Sequence, residues 1–381
     1  MTLPDDKPAV AEKATATMTS RRDVMAGTTA GLMGATILGN EPAQALAGVP
    51  LRVPMPPPAA VPRADLVNVF DYETQARLAV GTAKMAPALG SDRAITDRIT
   101  LRPRMNIPTR ELDLTTALFG DQHFTPIIVG PIADQKRFHP EGEIATARGA
   151  SAAKAAMVMS SDTSMPLAAI AQAATTPLWL QVYANSPKVN DTLAEANAAK
   201  ASAVIVTVNA GASANASATP NSAHIDWAAV DTVVKSTHLP VIVKGITHPQ
   251  DAKEAVARGA KGVVVSNYRG GNAAALKGTL LLVAPVVQAV GGQVPVLVDG
   301  SFRYGADILK ALALGAKGVL IGRPIMWGLA AYGADGVQGV VELLQTDLAR
   351  IMAMCGRVNL AAVNDSLVRI HAPLPREKNN G

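Results

Sequence analysis

The chain has 381 residues, of which 49% are hydrophobic, 17% are charged and only 3% are aromatic. This composition supplies enough apolar side chains for a large core and excludes an intrinsically disordered chain. The formal net charge is +5, and the sequence contains no basic run. Because aromatic residues are scarce as well, we expect no stacking surface for single-stranded nucleic acid and no nucleic-acid partner.

The N-terminus has the order of an export signal. Paired arginines at positions 21 and 22 precede an apolar, glycine-rich run, and two small residues, Ala45 and Ala47, follow it. This order predicts a twin-arginine signal peptide over residues 1–47. The apolar run is too short to predict a membrane span. We therefore expect recognition by the twin-arginine export machinery and a periplasmic location.

Two further segments follow the predicted signal. Residues 48–62 contain six prolines, which is typical of an extended, stiff linker. Residues 63–381 are predicted to form the folded domain, with a helical cap and a β-hairpin over about residues 63–124. The single cysteine, Cys355, cannot form an internal disulfide, and its apolar neighbours predict a buried position.

From about residue 125 onward, short apolar runs alternate with helical patterns. Continuous apolar runs are typical of parallel strands that are buried on both faces. The predicted strands are Pro126–Gly130, Ala156–Ser160, Leu178–Tyr183, Val204–Asn209, Val241–Gly245, Gly262–Asn267, Val294–Asp299 and Gly318–Gly322. Helix start and stop residues predict helices over Glu143–Lys154, Pro249–Arg258 and Gly305–Leu314. Eight β/α units predict an α/β fold of the (β/α)8 (TIM) barrel type, with a doubly wound open sheet as the alternative.

Polar residues and glycines follow the predicted strands at their C-terminal ends, where barrels carry their chemistry. Glycines let the backbone approach a ligand closely, and guanidinium groups near helix N-termini attract anions. The loops after the seventh and eighth strands contain both features, at Asp299, Gly300, Ser301, Arg303, Gly322 and Arg323. These two loops therefore predict a phosphate site.

Longer motifs connect these positions to a known family. They are His139-Pro140-Glu141-Gly142-Glu143, Leu180-Gln181-Val182-Tyr183, Val243-Lys244-Gly245, Val298-Asp299-Gly300 and Ile321-Gly322-Arg323-Pro324. With these motifs the sequence resembles the FMN-dependent α-hydroxy acid oxidases and dehydrogenases, which include glycolate oxidase and lactate oxidase. The resemblance implies FMN as cofactor, a small-molecule substrate and a homo-oligomer. It leaves the electron acceptor open among oxygen, a quinone and a cytochrome.

The resemblance also implies which residues hold FMN. Positions that bind the phosphate and the ribityl chain match Asp299, Gly300, Ser301, Arg303, Gly322 and Arg323. Positions that hydrogen-bond the isoalloxazine and the ribityl chain match Ser160, Gln181, Thr207 and Ser266. The backbone of Pro131, Ile132 and Ala133 would lie along the ring. Lys244 would lie near the N1–C2=O end of the ring, where a cation stabilises the negative charge of reduced flavin. Ser301 stands where the family usually has glycine.

The catalytic residues depart from the family pattern. The family motif Ser-Asn-His-Gly-Gly/Ala-Arg reads Ser266-Asn267-Tyr268-Arg269-Gly270-Gly271 here. Tyr268 therefore replaces the histidine base, and Gly271 replaces an arginine that binds the substrate carboxylate. Asn209 replaces the aspartate that orients the histidine, and the loop over residues 210–224 contains no second arginine. Of the chemistry implied by the family, Tyr183 and Lys244 remain.

Three interpretations follow from these replacements. The first is an FMN oxidoreductase with a less anionic substrate, in which Tyr268 acts as donor or weak base beside Tyr183 and Arg269 supplies a replacement cation. The second is a true 2-hydroxy acid oxidase in which Arg269 and His224 stand in for the lost residues. The third is an FMN-binding protein without turnover. The candidate catalytic residues are Tyr183, Lys244, Tyr268, Asn209 and Arg269. No structural metal is expected, because the histidines lack metal-ligand spacing.

Overall fold

The computed structural model describes residues 60–85, 88, 93–104, 110–209, 225–268 and 278–372. The predicted signal peptide lies outside these residues, as do Arg269, His224 and all but the last three residues of the predicted linker. Within the described ranges, no helix combines the length and the apolar character that a membrane span requires.

The N-terminal part of the described chain is mainly helical, as predicted for the cap. Its elements are α1 (Val69–Val80), α2 (Thr82–Met85), α3 (Ala94–Asp97) and β1 (Ile99–Leu101). The first helix begins at Asn68, whose side chain accepts hydrogen bonds from the backbone N–H groups of Phe70 and Asp71. The Asp71 carboxylate accepts in turn from the backbone of Asn68, so the two residues form a capping box that fixes where the helix starts.

A hairpin closes the N-terminal end of the barrel. It consists of β2 (Thr116–Leu118) and β3 (Asp121–His123), which pair antiparallel. Phe119 in its turn packs edge-to-face on Trp179, with 5.2 Å between the ring centroids. Trp179 is fully buried near the start of its strand. The predicted hairpin is therefore present, and it seals the end opposite the strand C-termini.

Eight parallel strands form a closed barrel, which confirms the predicted fold class over the doubly wound alternative. They are β4 (Ile127–Val129), β5 (Met157–Ser160), β6 (Leu178–Tyr183), β7 (Ala203–Thr207), β8 (Val241–Ile246), β9 (Gly262–Val265), β10 (Val296–Asp299) and β11 (Gly318–Ile321). Each strand pairs with the next one in sequence, and β11 pairs with β4 to complete the ring. Every residue of these strands is buried except Asp299. The continuous apolar runs in the sequence reflect this two-sided burial.

Helices pack around the barrel. They are α4 (Gly142–Ala152), α5 (Leu167–Ala173), α6 (Val189–Ala198), α7 (Trp227–Ser236), α8 (Pro249–Ala257), α9 (Leu280–Val290), α10 (Gly305–Ala313) and α11 (Arg323–Met354). The three helices predicted from sequence correspond to α4, α8 and α10. The long α11 is kinked at Tyr332 and Gly333, where Gly333 has a φ of +60°. Cys355 follows this helix and is buried, as predicted, and burial raises the pKa of its thiol. The final strand, β12 (Val368–Ile370), pairs antiparallel with β1.

Candidate active site

A cavity of about 480 Å³ opens at the C-terminal ends of the barrel strands. Its size falls within the range of ligand and cofactor pockets. Most of the predicted site residues line it: Pro131, Ile132, Ala133, Ser160, Gln181, Tyr183, Thr207, Lys244, Tyr268, Asp299, Gly300, Ser301, Arg303, Gly322 and Arg323. Ser266 and Asn209 hydrogen-bond to lining residues, and Arg269 lies outside the described residues. The barrel thus brings together residues that are almost 200 positions apart in sequence.

The ends of β5, β6 and β7 carry a chain of buried hydrogen bonds. The Ser160 hydroxyl donates to Oε1 of Gln181 at 3.1 Å, and Nε2 of Gln181 donates to Oγ1 of Thr207 at 3.0 Å. Tyr183 lies two residues beyond Gln181 and lines the same cavity, because alternate residues of a strand share a face. This chain fixes the orientation of the Gln181 amide, so it is preorganised to hydrogen-bond a polar ring edge.

Lys244 lies at the centre of a second buried network. Its Nζ lies 2.8 Å from Oδ2 of Asp299 and 2.9 Å from Oγ of Ser266. Ser266 donates in turn to Oδ2 of Asp299 at 2.9 Å. The three side chains come from β8, the residue after β9, and the end of β10, so the ion pair joins the two strands on either side of β9. The network holds a buried positive charge at a fixed point in the wall of the cavity.

The loop after β10 has an unusual backbone. Gly300 has a φ of +111°, and a Cβ at this position would lie 2.8 Å from Oγ1 of Thr279. Ser301 follows with a φ of +59°. Glycine adopts this left-handed region at little cost, whereas serine adopts it with strain. The conformation explains why glycine suits position 301, and why the serine there needs support from its surroundings.

Two arginines of the phosphate loops are held close together with little exposure. Burial and then repulsion from Arg323 lower the pKa of Arg303 to about 9. Burial also lowers the pKa of Arg323, which is the first residue of α11. Neighbouring cations of this kind are stabilised by a bound anion, and a helix N-terminus adds backbone N–H donors for it. The side chain of Arg303 is also fixed by Trp327, whose ring centroid is 4.6 Å from the guanidinium carbon.

The donor set fits FMN. Two arginines and a helix N-terminus suit the phosphate, Asp299 suits hydroxyl groups, and Gln181 and Lys244 suit the polar edge of a flavin ring. The cavity volume is sufficient for a ligand of this class. These residues would hold the cofactor, with Lys244 supplying the charge that favours its reduced form.

The contacts and the exposure of Tyr268 differ from those of the buried residues beside it. Nδ2 of Asn209 donates to the backbone oxygen of Tyr268 at 2.7 Å, so Asn209 positions the backbone rather than the phenol. Gly245, with a φ of +113°, makes room for this contact, because a Cβ there would lie 2.5 Å from Asn209. The Tyr268 side chain is 47% exposed, and its ring centroid is 5.3 Å from Nζ of Lys244. Tyr268 thus lies between the buried lysine and the cavity mouth.

The lining residues that were not predicted as site residues include Asp134, Arg137, Phe138 and Met326. Arg137 ends the short 3-10 helix Gln135–Arg137, which follows β4. Its guanidinium has no ion pair with any described side chain, and its carbon lies 5.8 Å from the ring centroid of Phe138. The polar run of residues 134–137, which is separated from the end of β4 by residues 130–133, is the signal that could have identified this part of the site.

Two of the described histidines, His139 and His248, accept hydrogen bonds from nearby backbone groups. Nδ1 of His248 accepts from the backbone of Gln250 at 3.2 Å and caps α8, and Nδ1 of His139 accepts from the backbone of Glu141 at 3.3 Å. In the part of the chain that the structure describes, no group of three or more histidine, cysteine or acidic side chains is arranged to bind a metal.

Comparisons with known proteins agree with this geometry. The FMN-dependent dehydrogenase family model matches residues 75–219 and 209–370. A peroxisomal (S)-2-hydroxy-acid oxidase of Oryza sativa subsp. japonica is 32% identical over 349 residues, which cover 79% of this chain and 95% of the relative. An L-lactate oxidase of Nostoc sp. is 32% identical over 358 residues, which cover 80% of this chain and 98% of the relative. A crystal structure of mandelate oxidase superposes with a TM-score of 0.73 at 31% identity, covering 81% of this chain and all of that chain.

These matches define the class of protein. The chain belongs to the family of FMN-dependent α-hydroxy acid oxidases and dehydrogenases. FMN is its cofactor. The resemblance inferred from the motifs is thereby confirmed over most of the chain.

Proposed function

We propose that the protein is an FMN-dependent oxidoreductase that oxidises the CH–OH group of a small substrate without clamping an α-carboxylate. The observation that carries this proposal is Tyr268, which lines the cavity beside the buried ammonium of Lys244. When bound, FMN supplies the two-electron acceptor for the CH–OH carbon. The relatives named for 2-hydroxy acids and lactate support a substrate of this chemical class.

The residues of the cavity have separate roles in this proposal. The Tyr183 phenol donates a hydrogen bond to the substrate oxygen, and Tyr268 acts as the weak base that takes up the proton of the substrate hydroxyl while its own hydroxyl proton passes to water. Lys244 keeps a fixed positive charge, and its pairing with Asp299 and Ser266 prevents it from moving. Asn209 holds the backbone at Tyr268. A cationic role for Arg269 remains a prediction.

The missing carboxylate clamp predicts a distinct substrate preference. Each charge-assisted contact contributes about 1.5–3 kcal/mol. Without the two arginines, most of the binding free energy that would favour an acid over its ester is lost. We would measure anaerobic reduction of the flavin by (S)-mandelate and by methyl (S)-mandelate. The proposal predicts that the ester reduces the flavin at least as fast as the acid. A preference for the acid of more than about tenfold, equivalent to 1.4 kcal/mol, would refute it.

A second candidate is a 2-hydroxy acid oxidase with a rearranged carboxylate site, and Arg137 favours it. Among the cations that line the cavity, Lys244 is paired with Asp299, and Arg303 and Arg323 belong to the phosphate loops. Arg137 lines the cavity without an ion pair to the described residues, so it is suited to a substrate carboxylate.

The Arg137→Gln variant separates the two candidates. If Arg137 holds the carboxylate, this substitution raises KM for mandelate about tenfold or more and leaves KM for the ester unchanged. The matched control is Arg148→Gln, because Arg148 pairs with Glu141 outside the cavity. If the two variants give the same KM for mandelate, the second candidate is wrong.

We also propose that residues 1–47 direct export to the periplasm and that the mature protein is a homo-oligomer. The paired arginines and the small residues Ala45 and Ala47 support export. Replacing Arg21 and Arg22 by lysine should retain the full-length protein in the cytoplasm. Mass spectrometry of the wild-type periplasmic fraction should give an N-terminus at Gly48, and light scattering should give more than one subunit. A wild-type protein that stays in the cytoplasm would contradict the export proposal.

A further inference from the structure

One guanidinium from the N-terminal part of the chain contacts the loop that follows β10. Arg93 precedes α3, and its Nη1 and Nη2 lie 2.7 Å and 3.0 Å from the two carboxylate oxygens of Asp307 in α10. The Asp307 side chain is 1% exposed and that of Arg93 is 17% exposed. The two residues therefore form a bidentate ion pair with little access to water, the geometry in which such pairs are most specific.

The same pair also binds the loop backbone. Oδ2 of Asp307 accepts from the backbone N–H groups of Arg303 at 2.9 Å and Tyr304 at 3.0 Å. Nη1 of Arg93 donates to the backbone oxygen of Ser301 at 3.3 Å. Its guanidinium carbon lies 5.0 Å from the ring centroid of Tyr304. Arg93 and Asp307 thus contact both ends of the segment 301–304.

This segment needs such support. Ser301 has a φ of +59°, a strained conformation that persists only where its surroundings impose it. Ser301, Phe302 and Arg303 all line the cofactor cavity. A loop that relaxed at Ser301 would move Arg303 away from the position in which it meets the FMN phosphate.

We propose that Arg93 is a positioning residue for cofactor retention: it holds the strained segment 301–304 in the conformation that binds the FMN phosphate. Arg93 acts through the loop and does not line the cavity. The role concerns FMN affinity and is independent of which substrate the enzyme oxidises. It makes the N-terminal part of the chain a component of the cofactor site.

The test measures the dissociation constant of FMN, by flavin fluorescence, on apoprotein prepared from purified holoprotein. Arg93→Met should raise Kd about tenfold or more, as is typical when a supporting contact of a binding group is lost. Arg93→Lys keeps the charge but not the bidentate geometry, so its Kd should lie clearly above that of the wild type. The matched control is Arg98→Met, because Arg98 lies on the same segment and donates to the backbone of His371, away from the loop.

A double-variant comparison separates positioning from general stability. Ser301→Gly relieves the strain, so Arg93→Met should raise Kd by a clearly smaller factor in the Ser301→Gly background than in the wild-type background. Two results would overturn the proposal. One is a Kd in Arg93→Met within twofold of the wild type. The other is equal loss of affinity in Arg93→Met and Arg98→Met. If Arg93→Met does not fold, Arg93→Lys with and without Ser301→Gly gives the same comparison.

Discussion

Substitutions of Glu143 test which hydrogen bonds stabilise the wall of the cavity. It lies on α4 and is fully buried. Its Oε1 accepts from the backbone N–H groups of Gln135 at 3.1 Å and Ser164 at 2.9 Å, and its Oε2 accepts from the Ser164 hydroxyl at 2.6 Å. One carboxylate thus ties the turn after β4, which lines the cavity, to the segment after β5. We predict that Glu143→Ala and Glu143→Gln differ strongly in stability.

The magnitude follows from the hydrogen bonds. Bonds to a charged acceptor contribute about 1.5–3 kcal/mol each, and Glu143→Ala removes three of them. Because neighbouring contributions are not additive, we expect a total loss of about 4 kcal/mol. In Glu143→Gln the amide oxygen can accept both backbone bonds, and the Ser164 hydroxyl can rotate to accept from the amide N–H. The expected loss is then about 1 kcal/mol, for the charge assistance alone.

The assay is urea unfolding of the FMN-loaded protein, followed by far-UV circular dichroism. Ser164→Ala serves as a comparison, because it keeps both backbone bonds to Glu143 but removes the hydroxyl bond to Glu143 and the bond that the hydroxyl accepts from the backbone N–H of Lys136 at 3.0 Å. It should lie between the two Glu143 variants. Equal unfolding free energies for Glu143→Ala and Glu143→Gln would refute the account of this wall. A loss of unfolding free energy below about 1 kcal/mol in Glu143→Ala would also refute it, since buried unsatisfied donors cost at least that much.

Three further predictions concern charge. Lys244→Met removes the ammonium that pairs with Asp299. A redox titration should therefore give a lower FMN reduction potential for this variant than for the wild type or for Lys244→Arg. An unchanged potential would contradict the role assigned to Lys244. Arg303→Met removes a buried cation of the phosphate loops, so it should weaken FMN binding, and an FMN dissociation constant within twofold of the wild type would refute this. Burial lowers the pKa of His123 below 6.5 in the folded state. As the pH falls below about 6.5, this histidine is protonated in the unfolded state before it is protonated in the folded state, so the free energy of unfolding should decrease. Unfolding of His123→Phe at about pH 7.5 and 5.5 should show a smaller loss on acidification than the wild type.

The barrel could be predicted from sequence because its information is local. Each strand is a continuous apolar run between polar segments, and burial on both faces preserves that pattern. Helix α9 was not predicted, because it contains Pro285 and is rich in valine, both of which disfavour helix. Packing of Leu280, Val283 and Val286 into the core outweighs these preferences.

The candidate site was predictable where residues lie in the C-terminal part of a barrel strand. Gln181, Lys244 and Asp299 were found because parallel strands place their C-terminal ends together. The contacts of Arg93 could not be predicted, since Asp307 is 214 positions away and no periodicity links them. The contact of Asn209 with the backbone of Tyr268, rather than with its phenol, likewise depends on space at Gly245 that the sequence does not display.

The proposed function requires that this cavity holds FMN and that a CH–OH substrate reduces it. The most direct measurement is the anaerobic absorbance of the purified holoprotein, residues 48–381, during addition of glycolate, (S)-lactate, (S)-mandelate and methyl (S)-mandelate. We expect the oxidised-flavin band to bleach with at least the ester and to return when oxygen, a quinone or a cytochrome is added. If dithionite bleaches the band and none of the four compounds does, the protein binds FMN without oxidising this class of substrate, and the proposed function is contradicted.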